Sequence, residues 1–410
     1  MTTHPSRPVL IMAAGTGGHI LPALAVARLL LERGIPVLWL GTPQGMENRI
    51  VPEAGFEMLS IDIGGLRGKG LLTRLKAPFR VLFALGQSLE LLRKHQPCLV
   101  IGFGGYIAGP GGVAARLRDI PLVIHEQNAL AGMTNRWLSR VANKVLAGYA
   151  GAFPAKTQVE VVGNPVRAEI AALPAPEERM AGRSGRLRLL VVGGSLGAQA
   201  LNKVLPQALA RMSAEERPEV WHQAGGKLID AARAAYAEAG LTLDESLRVE
   251  PFIDDMAAAY AWADLVLCRA GALTVAELAA AGVGSVLVPF PHAVDDHQTH
   301  NAAVLAQAGA AEIIQQRDLS AERLAALLRS MSHARALDMA CAARTQAQPD
   351  AAARVLAVCA PWLGEKIPLS PPFTKGEEKS ANALPPFEKG GQGGFALDAQ
   401  RENKNKEIQS

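Results

Sequence analysis

No stretch of this chain reaches the roughly 18–20 uninterrupted apolar residues that a membrane-spanning helix needs. The amino end passes from a short polar leader straight into an apolar run, Val9 to Ala13, without the pattern of a signal peptide, so a cytoplasmic protein is expected. Cysteine is scarce: Cys98, Cys268, Cys341 and Cys359 form no CxxC pair and sit in no Cys/His cluster, which excludes a zinc module and a disulfide framework. A formal net charge of +4 is too small for bulk nucleic-acid binding, so no nucleic-acid partner is expected. Acid is missing locally as well. Residues 1–160 hold 17 Lys or Arg against 9 Asp or Glu, and no acidic residue occurs between Asp62 and Glu90.

What is present is material for two cores. The chain has 410 residues, 49% of them apolar, enough for two domains and a tail. Short apolar runs alternate with helical stretches in two series. The first comprises Val9–Ala13, Val37–Leu40, Leu99–Gly102, Leu122–His125 and Lys144–Leu146. The second comprises Leu187–Val192, Val220–Gln223, Leu247–Pro251, Leu265–Cys268 and Ser285–Pro289. Such runs, apolar on both faces, belong to parallel sheets with helical crossovers, so two doubly wound α/β domains in tandem are expected. Turn residues at Gly163-Asn164-Pro165-Val166 set the boundary: residues 7–164, then 165–345, a closing helix within 346–364 and a tail at 365–410. Helices are expected over Leu21–Gly34, with Pro22 in the first turn, over Thr274–Ala281 before Gly282, and near Ala351–Trp362. In the tail, Pro-Pro-Phe-Thr-Lys-Gly recurs as Pro-Pro-Phe-Glu-Lys-Gly among Gly, Gln, Asn and charge, a composition that predicts disorder and a dispensable extension.

The chemistry collects in loops that follow strands. Gly15-Thr16-Gly17-Gly18-His19 leads from the first strand into a helix, a turn whose free amides favour anionic groups. It is not the dinucleotide fingerprint, because Ile20 stands at the third glycine and Leu38-Trp39-Leu40-Gly41-Thr42 ends without an acidic residue for a ribose. His19 lies where parallel sheets bind ligands and suits a general base; hydrogen bonding to a neighbouring loop is the equal alternative from the motif alone. Gly102-Phe103-Gly104-Gly105-Tyr106 forms a second close-approach loop. His125-Glu126-Gln127-Asn128 places four polar side chains after a buried strand, a pattern that favours a site lining over strand-end bonding. In the second series, Gly193-Gly194-Ser195-Leu196-Gly197 has the chemistry of a phosphate loop. Glu277, on the first turn of its helix, is placed either for two ribose hydroxyls or for the helix dipole. His292, Asp295, Asp296 and His297 have no metal-binding spacing, and neither Asp254-Asp255 nor Asp295-Asp296 is an Asp-x-Asp motif, so no metal and no cofactor are expected. From Leu66 to Leu92 basic residues interleave with Leu and Phe. This suggests either an anionic membrane surface touched by Leu72, Leu75, Lys76, Phe79, Arg80 and Phe83, or ordinary core burial.

In this order the motifs resemble the peptidoglycan N-acetylglucosaminyltransferase (MurG) family over about residues 8–360. The resemblance rests on the segments quoted above together with Gly163-Asn164-Pro165-Val166-Arg167, Phe252-Ile253-Asp254-Asp255-Met256, Gly271-Ala272-Leu273-Thr274-Val275-Ala276-Glu277 and Gln298. It implies a GT-B fold, in which two Rossmann-like domains face a cleft. It implies UDP-N-acetylglucosamine as donor and undecaprenyl-pyrophosphoryl-N-acetylmuramoyl-pentapeptide (lipid I) as acceptor, at the cytoplasmic face of the inner membrane, with other cell-wall and division proteins as partners. By motif, Ile253 would meet the uracil, Glu277 the ribose, Ser195 and Arg167 the diphosphate, and Gln298 the sugar. The stretch Ala272, Leu273, Thr274, Val275 and Ala276 would line the donor, with Thr16, Gly17, Gly18 and Asn128 reaching it from the first domain. His19, Tyr106 and Asn128 would lie on the acceptor side, with His19 as the base of an inverting displacement. Two departures stand out: the tail after Gly364 is outside the family pattern, and the stretch Asp295-Asp296-His297 before Gln298 varies in it. The competing expectations are a UDP-N-acetylglucosamine 2-epimerase on the same scaffold and a non-catalytic UDP-sugar sensor at the membrane.

Overall fold

Thirteen strands over the described residues form two separate sheets, and every strand pairing within them is parallel. The computed structural model describes residues 7–63, 71–194 and 197–364. The first part of the chain runs β1 (Val9–Ala13), α1 (Gly17–Glu32), β2 (Val37–Gly41), α2 (Glu47–Glu53), β3 (Glu57–Ser60), α3 (Leu71–His95) and β4 (Leu99–Gly104). It continues through α4 (Ala108–Leu117), β5 (Leu122–Glu126), α5 (Met133–Leu138), β6 (Lys144–Ala147) and β7 (Glu160–Val161). Two short helices, α6 (Ala168–Ala171) and α7 (Pro176–Arg179), lead to β8 (Arg188–Val192), α8 (Gln199–Ala210), β9 (Glu219–Gln223), α9 (Ile229–Glu238) and β10 (Leu247–Glu250). Then come α10 (Met256–Trp262), β11 (Leu265–Cys268), α11 (Ala272–Ala281), β12 (Gly284–Leu287), α12 (His297–Gln307) and β13 (Ala311–Ile313). The last helices are α13 (Ala321–Arg329), α14 (His333–Thr345) and α15 (Ala351–Cys359).

The first sheet has the order β3-β2-β1-β4-β5-β6-β7 and the second β10-β9-β8-β11-β12-β13. Both reverse direction of winding once, between β1 and β4 and between β8 and β11. Ligands of open parallel sheets bind outside the carboxyl ends of the strands at such switch points. All five residues of β1 and all six of β4 are buried, which is why their sequences read as continuous apolar runs rather than alternating ones.

Three strands were not expected. β3 is a partly exposed edge strand, β7 has two exposed residues, and β13 has only Ala311 buried, so none carries the apolar run that marked the others. Helix α1 begins at Gly17 rather than Leu21, which puts Pro22 in its second turn instead of its first. Helix α11 likewise begins at Ala272, and ends where Gly282 turns left-handed at φ 62°. Helix α14 packs on the second sheet, but α15 returns to the first, burying Val355, Leu356 and Cys359 against α1. The tail from residue 365 lies outside the described residues.

Candidate functional site

Trp39 is wholly buried in β2 and donates from Nε1 to the Ala13 carbonyl at 2.9 Å, fixing the point where β1 gives way to the first glycine loop. The loop is also held by Glu47, a buried acid that the sequence reading missed. Its Oε1 accepts from the Thr42 amide (3.0 Å) and hydroxyl (2.7 Å), and its Oε2 accepts from the Gly15 amide (3.2 Å). A carboxylate on that amide closes the position to a pyrophosphate, a second reason why the loop is not a dinucleotide site. Thr16 is the N-cap of α1, its side chain makes no capping bond, and no acid lies in the first turn. The first bond back to the Thr16 carbonyl comes from His19, so the amides of Gly17 and Gly18 precede it.

His19 stands on that first turn, against the second glycine loop. A Cβ on Gly104 (φ +109°) would lie 2.9 Å from both Cε1 and Nδ1 of the imidazole, so only glycine leaves the ring its slot. A Cβ on Gly105 (φ +83°) would lie 2.5 Å from the Ala14 carbonyl oxygen. The Tyr106 ring rests beside Gly15. The two loops at the first switch point thus pack directly on each other.

The segment 125–128 corrects the expectation of four side chains lining a site. Three of them are buried. His125 lies against the Phe103 ring (5.4 Å between centroids) and bonds through Nε2 to the Gly163 carbonyl at 2.8 Å. Glu126 is scaffold: Oε1 accepts from the amide and side chain of Asn128, and Oε2 from the Gly132 amide and Asn135. Strand-end bonding explains Glu126, as burying a carboxylate requires. Gln127 reaches His19, with Oε1 and Nδ1 2.8 Å apart. Asn128 faces the second half, where its Oδ1 accepts from Asn301 Nδ2 at 3.2 Å. Fully buried Asn301 also accepts from the Ala129 amide (2.8 Å) and donates to the Ala270 carbonyl (3.1 Å). Tyr149 donates across the same cleft to the Ala272 carbonyl at 3.1 Å.

On the second sheet, Gly271 is the N-cap of α11, again without a side-chain cap or an acid in the first turn. The Val275 amide closes the first turn on the Gly271 carbonyl (2.9 Å), so the amides of Ala272, Leu273 and Thr274 point out of the helix end. Val275 and Ala276 lie past that end. The Val275 amide is spent inside the helix and its side chain is in the core, while Ala276 is half-buried on the next turn. Glu277 is in the second turn, not the first, and it is paired. Arg167 Nε and Nη2 bond its Oε1 at 3.1 and 2.9 Å, and Tyr260 donates to Oε2 at 3.2 Å. Burial raises the carboxyl pKa, with the Arg167 charge opposing it. Tyr260 was not expected; no local pattern marks a tyrosine seventeen residues upstream of its partner. Ile253 is buried in the loop ahead of α10, beside exposed Phe252. Gln298 Oε1 accepts from the Ala270 and Phe290 amides (3.2 and 3.0 Å), tying the 289–298 segment to the β11 loop. Ser195 lies outside the described residues; the α8 start beyond it is uncapped at Ala198 and free of acid in its first turn.

Among the described residues no three His, Cys, Asp or Glu side chains gather as a metal site. A pocket of about 230 Å³ near Arg186, Arg329 and His333 opens at the amino ends of the second sheet's strands, the edge opposite the one that binds ligands. Of the surface expected to touch a membrane, Phe79 (74% exposed) and Phe83 (60%) stand out from α3 with Arg80, joined by Leu82. The side chains of Leu72, Leu75 and Lys76 lie outside the described residues. Leu117 of α4 and Met133 and Trp137 of α5 are exposed as well, with the Arg140 guanidinium 4.4 Å above the Trp137 ring. Among the described residues no helix is long and apolar enough to cross a membrane.

Comparison with known proteins follows the same division. The glycosyltransferase family 28 N-terminal domain matches residues 9–147 and the C-terminal domain of that family matches residues 188–355. The UDP-N-acetylglucosamine--N-acetylmuramyl-(pentapeptide) pyrophosphoryl-undecaprenol N-acetylglucosamine transferase of Marinobacter nauticus is 55% identical over 361 residues, 88% of this chain and 98% of that protein. The protein of the same name from Ralstonia nicotianae is 56% identical, covering 86% of this chain and 96% of its own. Among solved structures, MurG of Acinetobacter baumannii superposes with a TM-score of 0.75 at 46% identity, over 87% of this chain and 99% of that one. The calicheamicin glycosyltransferase CalG4 superposes at 0.60 with 18% identity, a likeness of fold alone.

Proposed function

The chain belongs to glycosyltransferase family 28, and from that premise we propose how its two halves divide one reaction. Its two Rossmann-like halves make a GT-B fold. It is an N-acetylglucosaminyltransferase that moves N-acetylglucosamine from UDP-N-acetylglucosamine to N-acetylmuramyl-(pentapeptide) pyrophosphoryl-undecaprenol, forming lipid II. Residues 7–164 take the acceptor and residues 165–345 the UDP-sugar. His19 Nε2 removes the proton from the muramyl 4-hydroxyl as its oxygen attacks the anomeric carbon. The bond to the β-phosphate breaks, the configuration inverts and UDP leaves. Its charge is met by the amide ends of α8 and α11 and by Arg167 and Ser195. Arg167, paired with Glu277, addresses the diphosphate, and Glu277 the ribose. Ile253 addresses the uracil through its backbone, and Gln298 with the α11 start addresses the sugar. Thr16, Gly17, Gly18, Tyr106 and Asn128 complete the acceptor side.

The observation that carries this reading is the convergence of both switch-point loops, with His19 on one wall and the open α11 end on the other, joined through Asn128 and Asn301. The exposed Phe79, Leu82 and Phe83 beside Arg80 then rest on the anionic cytoplasmic face of the inner membrane, which keeps the enzyme at its lipid-linked acceptor. The test is transfer of radiolabelled N-acetylglucosamine from UDP to a solubilised lipid I analogue in EDTA. Labelled product is expected. Release of the 2-epimer without transfer would put an epimerase in its place, and binding without any reaction would put a sensor there.

A further inference from the structure

The hydrogen bonds that end on His19 have a direction, and it is set away from the cleft. A carbonyl can only accept, so His125, with Nε2 2.8 Å from the Gly163 oxygen, carries its proton on Nε2. Neutral His125 then presents a bare Nδ1, to which Gln127 Nε2 donates at 3.0 Å. The same Gln127 nitrogen lies 3.1 Å from the His125 carbonyl, a second group that can only accept, so the two ends of the amide are assigned without reference to His19. Gln127 Oε1 is thereby turned to His19 and accepts from Nδ1 at 2.8 Å. The proton of neutral His19 is on Nδ1 and its lone pair on Nε2.

We propose that Gln127 and His125 are positioning residues for the base, a relay from Gly163 that holds His19 in the Nδ1–H tautomer with Nε2 directed to the acceptor hydroxyl. The proposal rests on the assignment of His19 as base and adds two residues that touch no substrate.

Burial keeps the relay in one state. His125 is fully enclosed, and desolvation pushes its pKa down to about 4; the Gly163 carbonyl and Glu126 oppose this, and His19 adds to it. Those are the charged and titratable groups that face it, and the Glu126 carboxylate is already taken by Asn128, Gly132 and Asn135. A protonated His125 would set an N–H against the Gln127 NH2 and release the amide. The choice of an amide beside the base also has a meaning. A carboxylate there would raise the imidazole's basicity and favour its charged form at rest, whereas glutamine orients the ring without charging it.

The experiment is a set of pH–rate profiles on the full chain, with UDP affinity measured alongside. Gln127→Leu is expected to lower kcat by about 100-fold, in the range set by losing a correctly oriented base, with UDP affinity unchanged. Gln127→Glu keeps the shape and an acceptor toward Nδ1, so it keeps the question open where the leucine variant does not fold. It is expected to move the acid limb of kcat/KM upward by about one pH unit. His125→Phe is expected to cost about 10-fold, because the carbonyl of residue 125 still anchors the amide. Nitrogen-15 imidazole spectra should show His19 protonated on Nδ1 in the wild type and a tautomer mixture in Gln127→Leu. A Gln127→Leu enzyme with kcat within twofold of wild type, or a Gln127→Glu profile with an unmoved acid limb, overturns the relay. An active His19→Ala enzyme overturns the base assignment itself; an inactive one beside an active Gln127→Leu enzyme removes the relay alone.

Discussion

At the carboxyl edge of the first sheet the polar side chains are bonded to one another: Glu47 to Thr42 and Gly15, Glu126 to Asn128, Gly132 and Asn135, Gln127 to His125 and His19. At the same edge of the second sheet, α8 and α11 begin with uncapped amides and no acid, while α10, α13 and α14 of that half are capped by Asp255, Ser320 and Ser332. A helix end left uncapped forgoes about 1 kcal/mol. Leaving two such ends toward the cleft, and capping others, suits a wall that receives an anion. The first wall has one such end too, at Thr16 ahead of α1, but its remaining polar groups are preorganised around one side chain. In the proposed reaction one half orients the base and the other leaves room for charge.

The largest test of that contrast is His19→Ala, which is expected to lower kcat by about 1,000-fold while leaving UDP affinity unchanged in titration calorimetry. A matching loss of UDP binding would mean that the walls are not separate in function. Acid comes next, with a histidine in each half. His125 and His222 are held neutral by burial, at about 4 and about 3. The unfolded chain therefore binds more protons below about pH 6.5, and stability falls as pH drops from 6.5 through 4, by up to about 1.4 kcal/mol per pH unit for each ring. His222→Gln keeps partners for Tyr236 and Asn202 and should remove the second half's share, leaving a slope near one proton in urea titrations across pH. A slope that does not change on this substitution would show that His222 is already protonated in the fold. Smaller again is Glu277→Gln. It should raise KM for UDP-N-acetylglucosamine by about 10-fold or more and leave kcat nearly alone, the signature of lost donor binding. A kcat defect at unchanged KM would place Glu277 with the chemistry instead. The smallest effect expected is from Phe79→Ser with Phe83→Ser: several-fold weaker sedimentation with anionic vesicles and unaltered transfer to a detergent-solubilised acceptor.

The sequence is most legible where two strands on either side of a switch point are fully buried, because the apolar run and the glycine loop after it mark the same place. That is how the loops at Gly15, Gly104, Gly194 and Gly271 were read. It is least legible where meaning depends on a partner distant in sequence. Glu126 and Gln127 are sequence neighbours of nearly the same shape, yet one is scaffold and the other reaches an imidazole 108 residues away. Glu47 was overlooked because it opens a helix, where an acid is ordinary, although its side chain turns back to Gly15. Arg167 and Glu277 carry separate expectations in the sequence, and only the fold shows that they pair with each other. The edge strands β3, β7 and β13 escaped because an edge has no need of a continuous apolar run; the fourth edge, β10, buries alternate residues and was legible.

Helix α15 has a mechanical meaning. The backbone passes between the halves at Gly163–Val166 and returns between α14 and α15, and a Cβ on Gly163 would sit 2.6 Å from that of Gln348. The two passages touch, so the halves share one narrow pivot, and any rotation of one against the other must turn there. Buried Val355, Leu356 and Cys359 secure α15 to α1, at about 1.5–3 kcal/mol for a large apolar side chain. A cut at residue 346 would leave the halves on a single thread, free to twist as well as hinge, and the two walls would lose the common axis that brings them into register.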